Sequence, residues 1–267
     1  MNKNATNQDH TVDNLYDREF YLELEGSAST SAREIVPYVL SLYSIDSVVD
    51  IGCGTGDWLS VFKENGVSRI VGLDGNYVDP EVLKIGKEDF RPSDLSQPFF
   101  LDERFDLAMS LEVVEHLPES SACQFVENIT KLASVILFSA SIPHQEGTGH
   151  INEQWMNYWI DLFKTQGFIP IDGIRWRFWD NQNVAWWYKQ NAVFFVEEAR
   201  LSDFPRLDAL RDQYRTMPSA IVHPDIYLHH VSKARVLEDE LSRKIDSPIA
   251  VMKRVLKRLL RTLPRAR

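Results

Sequence analysis

The sequence contains few cysteines for its length. Only Cys53 and Cys123 occur among 267 residues, which excludes the disulfide framework of small secreted domains and fits a reducing compartment. With 44% hydrophobic and 25% charged residues, the composition is that of an ordinary globular protein. The chain is long enough for one sizeable core with appended segments.

Long apolar runs are also missing. No stretch approaches the ~18 consecutive apolar residues that a membrane-spanning helix requires. Residues 1–13 are polar and lack the apolar region of a secretory signal peptide. We therefore expect a cytoplasmic protein. Residues 1–14, which are rich in Asn, Asp and Thr, are expected to be disordered.

Acidic residues are absent from residues 247–267, which contain seven Lys or Arg residues. The rest of the chain has 22 basic and 39 acidic residues, a net charge of −17. Such an acidic body is a poor match for a phosphate backbone, so no nucleic-acid partner is expected. The basic segment predicts an amphipathic helix that binds the inner face of an anionic membrane, the protein's own acidic body, or a partner.

The most informative stretch is a glycine-rich turn. Residues 48–58 read VVDIGCGTGDW, the pattern of a buried strand that contains Asp50, followed by a tight turn and the start of a helix. Gly52, Gly54 and Gly56 permit positive φ angles and allow a ligand to approach the main chain closely. Their G-x-G-x-G spacing differs from the G-x-G-x-x-G of dinucleotide-binding folds, which disfavours an NAD-dependent dehydrogenase.

Three further strand-like runs follow in the sequence. The second run, RIVGLDG, ends in Asp74 and Gly75, and a carboxylate at this strand tip can accept hydrogen bonds from both ribose hydroxyls. The third, DFRPSDL, ends in Asp94 and Leu95. The fourth covers residues 105–118 and reads FDLAMSLEVVEHLP.

These four motifs, in this order, resemble those of the class I S-adenosylmethionine-dependent methyltransferases, especially bacterial O-methyltransferases that act on glycans and small molecules. The resemblance covers residues 30–197 and implies S-adenosylmethionine as the cofactor. It implies that Asp50 holds the amino group and that Asp94 and Leu95 face the adenine. The cofactor-binding residues implied in this way are Asp50, Gly52, Cys53, Gly54, Gly56, Trp58, Asp74, Gly75, Asp94, Leu95, Ser110, Leu111, Glu112 and His116.

Alternating strand and helix patterns predict an α/β fold with a doubly wound, Rossmann-like, mostly parallel sheet of seven strands. The resemblance implies that the last strand is antiparallel. Helices are predicted over 31–42 and 153–166. Strands are predicted over 46–52, 69–74, 88–92, 105–111, 134–140, 168–178 and 192–197. The predicted organisation is a disordered segment 1–14, a methyltransferase domain 15–198, a helical extension 199–246 and the basic amphipathic helix 247–267.

Candidate catalytic residues lie in the loop after the fifth strand, over residues 142–155. Methyl transfer to a hydroxyl requires in-line positioning and removal of the hydroxyl proton. A neutral histidine is the usual base at cytoplasmic pH. We predict His150 as the general base and His144 as the second candidate. A histidine that only caps the following helix is the alternative for either position.

Glu112, Glu115 and His116 follow the fourth strand at spacings that place them on one face of a turn. Such residues are competent acids, bases and metal ligands, but the favoured interpretation is that they line the cofactor. The adjacent-aspartate signature of metal-dependent catechol-type methyltransferases is missing at this position. No metal is therefore expected.

Tryptophans are concentrated in one part of the chain, since six of the seven lie between Trp155 and Trp187. Flat aromatic faces beside amide side chains suit a sugar ring, whose faces are apolar and whose edges carry hydroxyls. The predicted acceptor-binding residues are Asn152, Trp155, Trp186, Trp187, Tyr188 and Gln190.

The predicted function is S-adenosylmethionine-dependent O-methylation of a sugar hydroxyl in a bacterial surface glycan or its precursor. Methylation of a secondary metabolite and a non-catalytic scaffold that retains the fold remain alternatives. The missing (N/D)-P-P-(Y/F) motif disfavours methylation of a nucleic-acid base. The sequence does not define the oligomeric state.

Overall fold

A seven-stranded sheet forms the centre of the protein in the computed structural model, which describes residues 18–244 and Met252. The strands are β1 (Ser47–Ile51), β2 (Arg69–Asp74), β3 (Phe90–Pro92), β4 (Leu107–Leu111), β5 (Val135–Ser139), β6 (Phe168–Ile171) and β7 (Val193–Glu197). Their spatial order is β3-β2-β1-β4-β5-β7-β6. β7 is antiparallel to both of its neighbours, whereas the other adjacent pairs are parallel. The predicted fold class is confirmed.

Helices cover both faces of this sheet. The helices of this part of the chain are α1 (Arg18–Leu42), α2 (Asp57–Glu64), α3 (Ala122–Leu132), α4 (Met156–Thr165), α5 (Arg175–Phe178), α6 (Trp186–Asn191) and α7 (Pro205–Tyr214). A further helix, α8 (Pro224–Lys244), follows in the sequence. The side chains of a strand alternate between faces, so Leu137 of β5 packs in a cluster with α1 and α2. Its neighbour Phe138 packs in a second cluster with Trp159 and Phe163 of α4.

The order of the strands identifies the centre of the sheet as the place where a ligand would bind. β1 lies between β2 and β4. The strands that follow β1 in the sequence are therefore added first on one side of it, as β2 and β3, and then on the other side, as β4 and β5. Ligands of open α/β sheets bind at such a switch point, beyond the carboxyl ends of the strands. The parallel register pairs Ile51 with Leu73, which brings the glycine turn after β1 next to Asp74 at the end of β2.

Two predicted segments have a different structure. The strand predicted over 168–178 ends at Ile171, and α5 follows. The buried guanidinium of Arg175 donates to both carboxylate oxygens of Asp172, at 3.0 and 2.6 Å, which stabilises a helical turn where alternation of side chains indicated a strand. Residues 186–188 lie between the last two predicted strands, where we expect a loop, but they belong to the helix α6. Tyr188 of this helix packs edge-on against Trp58 at a centroid distance of 5.1 Å.

The remaining helix predictions fall close to the observed elements. α1 contains the predicted helix 31–42 but extends back to Arg18 among the described residues. α4 begins three residues later than predicted, with Trp155 as its N-cap residue. Gly167 follows its end with a φ of 79°, as expected for a helix-terminating glycine.

The chain divides into two compact units, Met1–His223 and Pro224–Arg267. α7 belongs to the first unit and α8 to the second. None of the described helices is long and apolar enough to cross a lipid bilayer. The predicted disordered segment 1–14 lies outside the described residues, as does the predicted helix 247–267 apart from Met252.

Candidate active site

A cavity of about 730 Å³ opens beyond the carboxyl ends of β1, β2, β3 and β4. This volume lies within the range of small-molecule sites, ~300–1,000 Å³. Twelve of the fourteen predicted cofactor residues line it. The two that do not are Gly56, which is the N-cap residue of α2, and Ser110, which is fully buried within β4.

The glycine turn forms one wall of the cavity. Gly52 has a φ of 86°, and a Cβ built there would collide with the side chain of Val113. The amides of Gly52 and Cys53 both donate to the carbonyl oxygen of Leu73, at 2.7 and 3.1 Å. These two hydrogen bonds hold the turn against β2. Because φ is positive and Val113 is close, glycine is the residue that position 52 accepts without strain.

The Asp50 carboxylate faces this cavity from the end of β1 and is only 3% exposed. Within the described part of the chain, no donor forms a hydrogen bond with it. Burial, together with the nearby Asp74 carboxylate, raises the pKa of Asp50 from 3.8 to about 7. A buried carboxylate without a donor is costly unless a cation accompanies it. The amino group of the cofactor implied by the sequence would supply that cation, so the residues present fit it.

Asp74 occupies the end of β2 and is fully engaged in hydrogen bonds. One oxygen accepts from the Gly54 amide at 2.6 Å. The other accepts from the Gly75 amide at 2.7 Å and from the Tyr77 hydroxyl at 2.6 Å. Burial raises the pKa of Asp74, although these donors oppose the rise. The Tyr77 hydroxyl therefore occupies a position that a ribose hydroxyl could take.

Residues that the motifs did not indicate complete the walls. Ser27 and Ala28 of α1, together with Asn76 and Tyr77 after β2, line the cavity. α1 is fixed beside the glycine turn because Ser29 and Lys84 both bond to the Asp57 carboxylate. Asn76 and Tyr77 directly follow the second motif, so their position in the sequence was a usable signal. Ser27 and Ala28 carried no such signal.

Glu112 closes the far end of the cavity in a strained backbone conformation. Its φ of 56° is uncommon for a residue with a side chain, and such strain concentrates at functional sites. Its carboxylate accepts from Asn191 at 3.1 Å, from Gln145 at 2.8 Å and from Ser141 at 3.3 Å. Burial raises its pKa, and these donors oppose the rise. Asn191 and Gln145 were not predicted as site residues.

The three histidines occupy different positions relative to the cavity. His116 lines it, and its ring packs edge-on against that of His150 at a centroid distance of 4.7 Å. Burial, followed by the influence of His150, lowers the pKa of His116 to about 4. His150 lies behind His116, with Nδ1 2.9 Å from a carboxylate oxygen of Glu153. His144 is exposed, and neither it nor His150 lines the cavity.

Of the six predicted acceptor-binding residues, Trp187 and Tyr188 line the cavity. The other four lie outside its wall. Trp186 packs edge-on against Trp187, and Trp155 is 42% exposed at the start of α4. Asn152 and Gln190 are buried in hydrogen-bond networks behind the site, with partners that include Gln154 and Gln145.

Residues 18–192 match the model of a methyltransferase domain family, and the chain belongs to that family. Ubiquinone biosynthesis O-methyltransferase from Methylobacterium sp. (strain 4-46) is 34% identical over 82 residues, which are 28% of this chain and 32% of that protein. The match thus spans about a third of the relative's length.

Two solved structures have the same fold. The sugar N-methyltransferase of Streptoalloteichus sp. ATCC 53650 has a TM-score of 0.55 at 11% identity, covering 74% of this chain and 98% of that one. Magnesium protoporphyrin IX methyltransferase from Synechocystis PCC 6803, solved with bound SAH, has a TM-score of 0.50 at 16% identity. That match covers 68% of this chain and 89% of the other.

Proposed function

We propose that this protein transfers a methyl group from S-adenosylmethionine to a hydroxyl group of a sugar, in a bacterial surface glycan or its precursor. The observation that carries the proposal is the Asp50 carboxylate, which is buried, faces the cavity and lacks a donor within the described residues. The cofactor would place its ammonium beside the Asp50 carboxylate and its nucleoside beside the Asp74 carboxylate. Both carboxylates would then have a bound partner.

The cofactor supplies, when bound, a methyl group on a positively charged sulfur. Asp50 would hold its ammonium, and Asp74 would accept from the ribose hydroxyls once the Tyr77 hydroxyl moves aside. Asp94 and Leu95 line the cavity on the side expected for the adenine. Gly52 has a positive φ and lies against the side chain of Val113, so at this position the main chain of the turn itself lines the cavity.

The acceptor is proposed to bind between Glu112 and the aromatic side chains of α6. Trp187 and Tyr188 line this part of the cavity and could stack on the apolar face of a sugar. The Glu112 carboxylate is held in place by Asn191 and Gln145, so it could accept a hydrogen bond from a second hydroxyl of the same ring. A fixed acceptor of this kind orients a sugar hydroxyl for in-line attack.

The hydroxyl proton must leave as the new bond forms. The hydroxyl oxygen bonds to the methyl carbon, the electron pair of the broken carbon–sulfur bond stays on sulfur, and a base takes the proton. His116 is the histidine that faces the cavity, and its low pKa of about 4 keeps it neutral. His150, the base predicted from the sequence, does not line the cavity, and its edge-on contact would position the ring of His116.

Methyl-labelled S-adenosylmethionine tests this proposal directly. The full chain would be incubated with sugar acceptors, lipid-linked glycan fractions and secondary-metabolite pools, and the labelled product analysed by mass spectrometry. We expect a gain of one methyl group on a sugar oxygen. Label on a nitrogen or carbon atom of a non-sugar acceptor would refute the acceptor class, and no transfer to any acceptor would refute the activity.

We also propose that residues 247–267 attach the protein to the inner face of the cell membrane. The support is their sequence alone, seven basic residues and no acidic residue beside an apolar stripe. A basic amphipathic segment gains about 1 kcal/mol per basic residue near an anionic surface.

A further inference from the structure

Two histidines and a buried glutamate meet beside the cavity. Glu115, His116 and His150 each present one potential ligand atom, and these atoms lie within 4.8 Å of one another. In the part of the chain that the structure describes, this is the single group of three or more His, Cys, Asp or Glu side chains with such an arrangement. The three residues are called the Glu-His-His cluster below.

Main-chain hydrogen bonds create the cluster. Glu115 and His116 belong to a 3₁₀ turn, Val114–His116, that follows β4. The carbonyl oxygen of Glu115 accepts from the amides of Ile151 and Asn152, at 2.8 and 3.0 Å. These bonds fix the loop after β5 onto the turn and thereby place His150 against His116.

The carboxylate of Glu115 is the second observation that indicates a ligand. Glu115 is 0% exposed. One oxygen accepts from the amide and the hydroxyl of Ser141, at 3.2 and 3.0 Å, whereas the other, Oε2, has no hydrogen-bond partner. Because an unsatisfied buried carboxylate oxygen is costly, a cation at this position would remove a large penalty.

The surroundings of His150 resemble the support of a metal-ligating histidine. Its Nδ1 lies 2.9 Å from the Glu153 carboxylate, and ligating histidines commonly pair one ring nitrogen with a carboxylate in this way. A Cβ built at Gly147 would collide with the imidazole. The ring is therefore held between a carboxylate and a glycine backbone.

We propose that the Glu-His-His cluster binds a divalent first-row transition metal of the Mn²⁺ to Zn²⁺ series. One carboxylate and two imidazoles form a donor set that these ions accept, and three protein ligands leave further coordination positions open. His116 lines the cavity, so an open position would lie on the side from which the acceptor enters.

The consequence for catalysis rests on the proposed function. A sugar hydroxyl bound to the metal would lose its proton to water more easily. The oxygen would then bond to the methyl carbon while the carbon–sulfur bond breaks and its electron pair stays on sulfur. A vicinal diol could occupy two open positions at once. The preferred acceptor would then be a sugar with two adjacent free hydroxyls. His116 and His150 would assist proton removal as metal ligands, in place of the direct base role given above.

Metal binding can be measured without turnover. We would strip the full chain with a chelator, titrate it with Co²⁺ and follow the visible absorption of the bound ion, and then measure Zn²⁺ and Mn²⁺ affinities by calorimetry. We expect one ion per chain. Glu115→Gln and His150→Ala should each weaken binding at least about 10- to 100-fold, whereas His144→Ala should leave the metal affinity unchanged as a matched surface control.

Three outcomes would overturn the inference: no saturable binding by the wild-type chain, equal affinity in all of these variants, or loss of binding in the His144→Ala control alone. Circular dichroism would establish that each variant is folded. Gly147→Ala is a second test of metal binding, because its Cβ should displace the ring of His150 without removing a ligand. Titration of S-adenosylmethionine into the metal-free protein keeps the two proposals separate. Cofactor binding without metal binding refutes this inference alone, and metal binding without cofactor binding refutes the proposed function alone.

Discussion

Asp50→Asn should stabilise the ligand-free protein at alkaline pH while it weakens cofactor binding. The pKa of Asp50 rises from 3.8 to about 7 because of burial and the adjacent Asp74. Since the folded-state pKa is the higher one, this carboxyl contributes stability that is fully present below pH 3.8 and is lost as the pH rises through about 7. The window of the effect therefore lies between about pH 4 and 7.

The size of the effect follows from linkage between protonation and folding. Moving the pKa from 3.8 to about 7 costs the folded protein about 4 kcal/mol at pH 8, at about 1.4 kcal/mol per tenfold change in the dissociation constant. About 2.5 kcal/mol of this loss should develop between pH 5 and pH 8. Asp50→Asn removes the ionisation and should remove this part of the pH dependence.

Urea unfolding followed by circular dichroism, at a series of pH values between 5 and 8, measures this difference. The quantity to compare is the change in the free energy of unfolding over that range in the wild type and in Asp50→Asn. Asp102→Asn, at an exposed carboxylate, is the matched control and should follow the wild type. The reasoning would be refuted by an Asp50→Asn protein whose stability falls with pH as steeply as that of the wild type.

Four other changes test three separate parts of the account. Gly52→Ala should destabilise the fold by about 1–3 kcal/mol and impair cofactor binding, because φ is positive and the new Cβ meets Val113; unchanged urea unfolding would contradict this. His116→Ala and His150→Ala should each lower kcat by roughly 10²–10⁴ with cofactor affinity nearly intact, and full turnover by both variants would mean that neither histidine assists proton removal. Deleting residues 247–267 should abolish sedimentation with anionic vesicles, which high salt should also weaken; equal sedimentation of both proteins would exclude a membrane role for this segment.

The cofactor side of the site was predictable because its signals are local in sequence. Asp50, the three glycines of the turn and Asp74 lie at strand ends, and parallel strands bring their carboxyl ends to one edge of the sheet. The part of the cavity wall that Ser27 and Ala28 form was not predictable. No motif marks these two residues, and their position depends on how α1 packs on α2.

The acceptor side depends on contacts between distant segments. His150 meets His116 only because the Glu115 carbonyl binds the amides of Ile151 and Asn152, and no spacing rule contains that information. The expectation of no metal rested on a missing pair of adjacent aspartates. That absence could not reveal a cluster assembled from the turn after β4 and the loop after β5.

Secondary structure was mispredicted where side-chain pairs outweighed intrinsic preference. The segment after β6 alternates in the manner of a strand, but the buried ion pair between Asp172 and Arg175 turns it into a helix. The segment around Trp186 was expected to be a loop but forms the helix α6, in which Tyr188 packs edge-on against Trp58. Tertiary contacts decided both segments.

Calorimetric titration of S-adenosylmethionine into the full chain tests the central claim most directly. Asp74 accepts three hydrogen bonds at the end of β2, and contacts of a ribose with this carboxylate are worth about 1.5–3 kcal/mol each. The account predicts saturable one-to-one binding by the wild type and at least about tenfold weaker binding by a folded Asp74→Ala variant. No binding by the wild type, or an unchanged affinity in that variant, would contradict it.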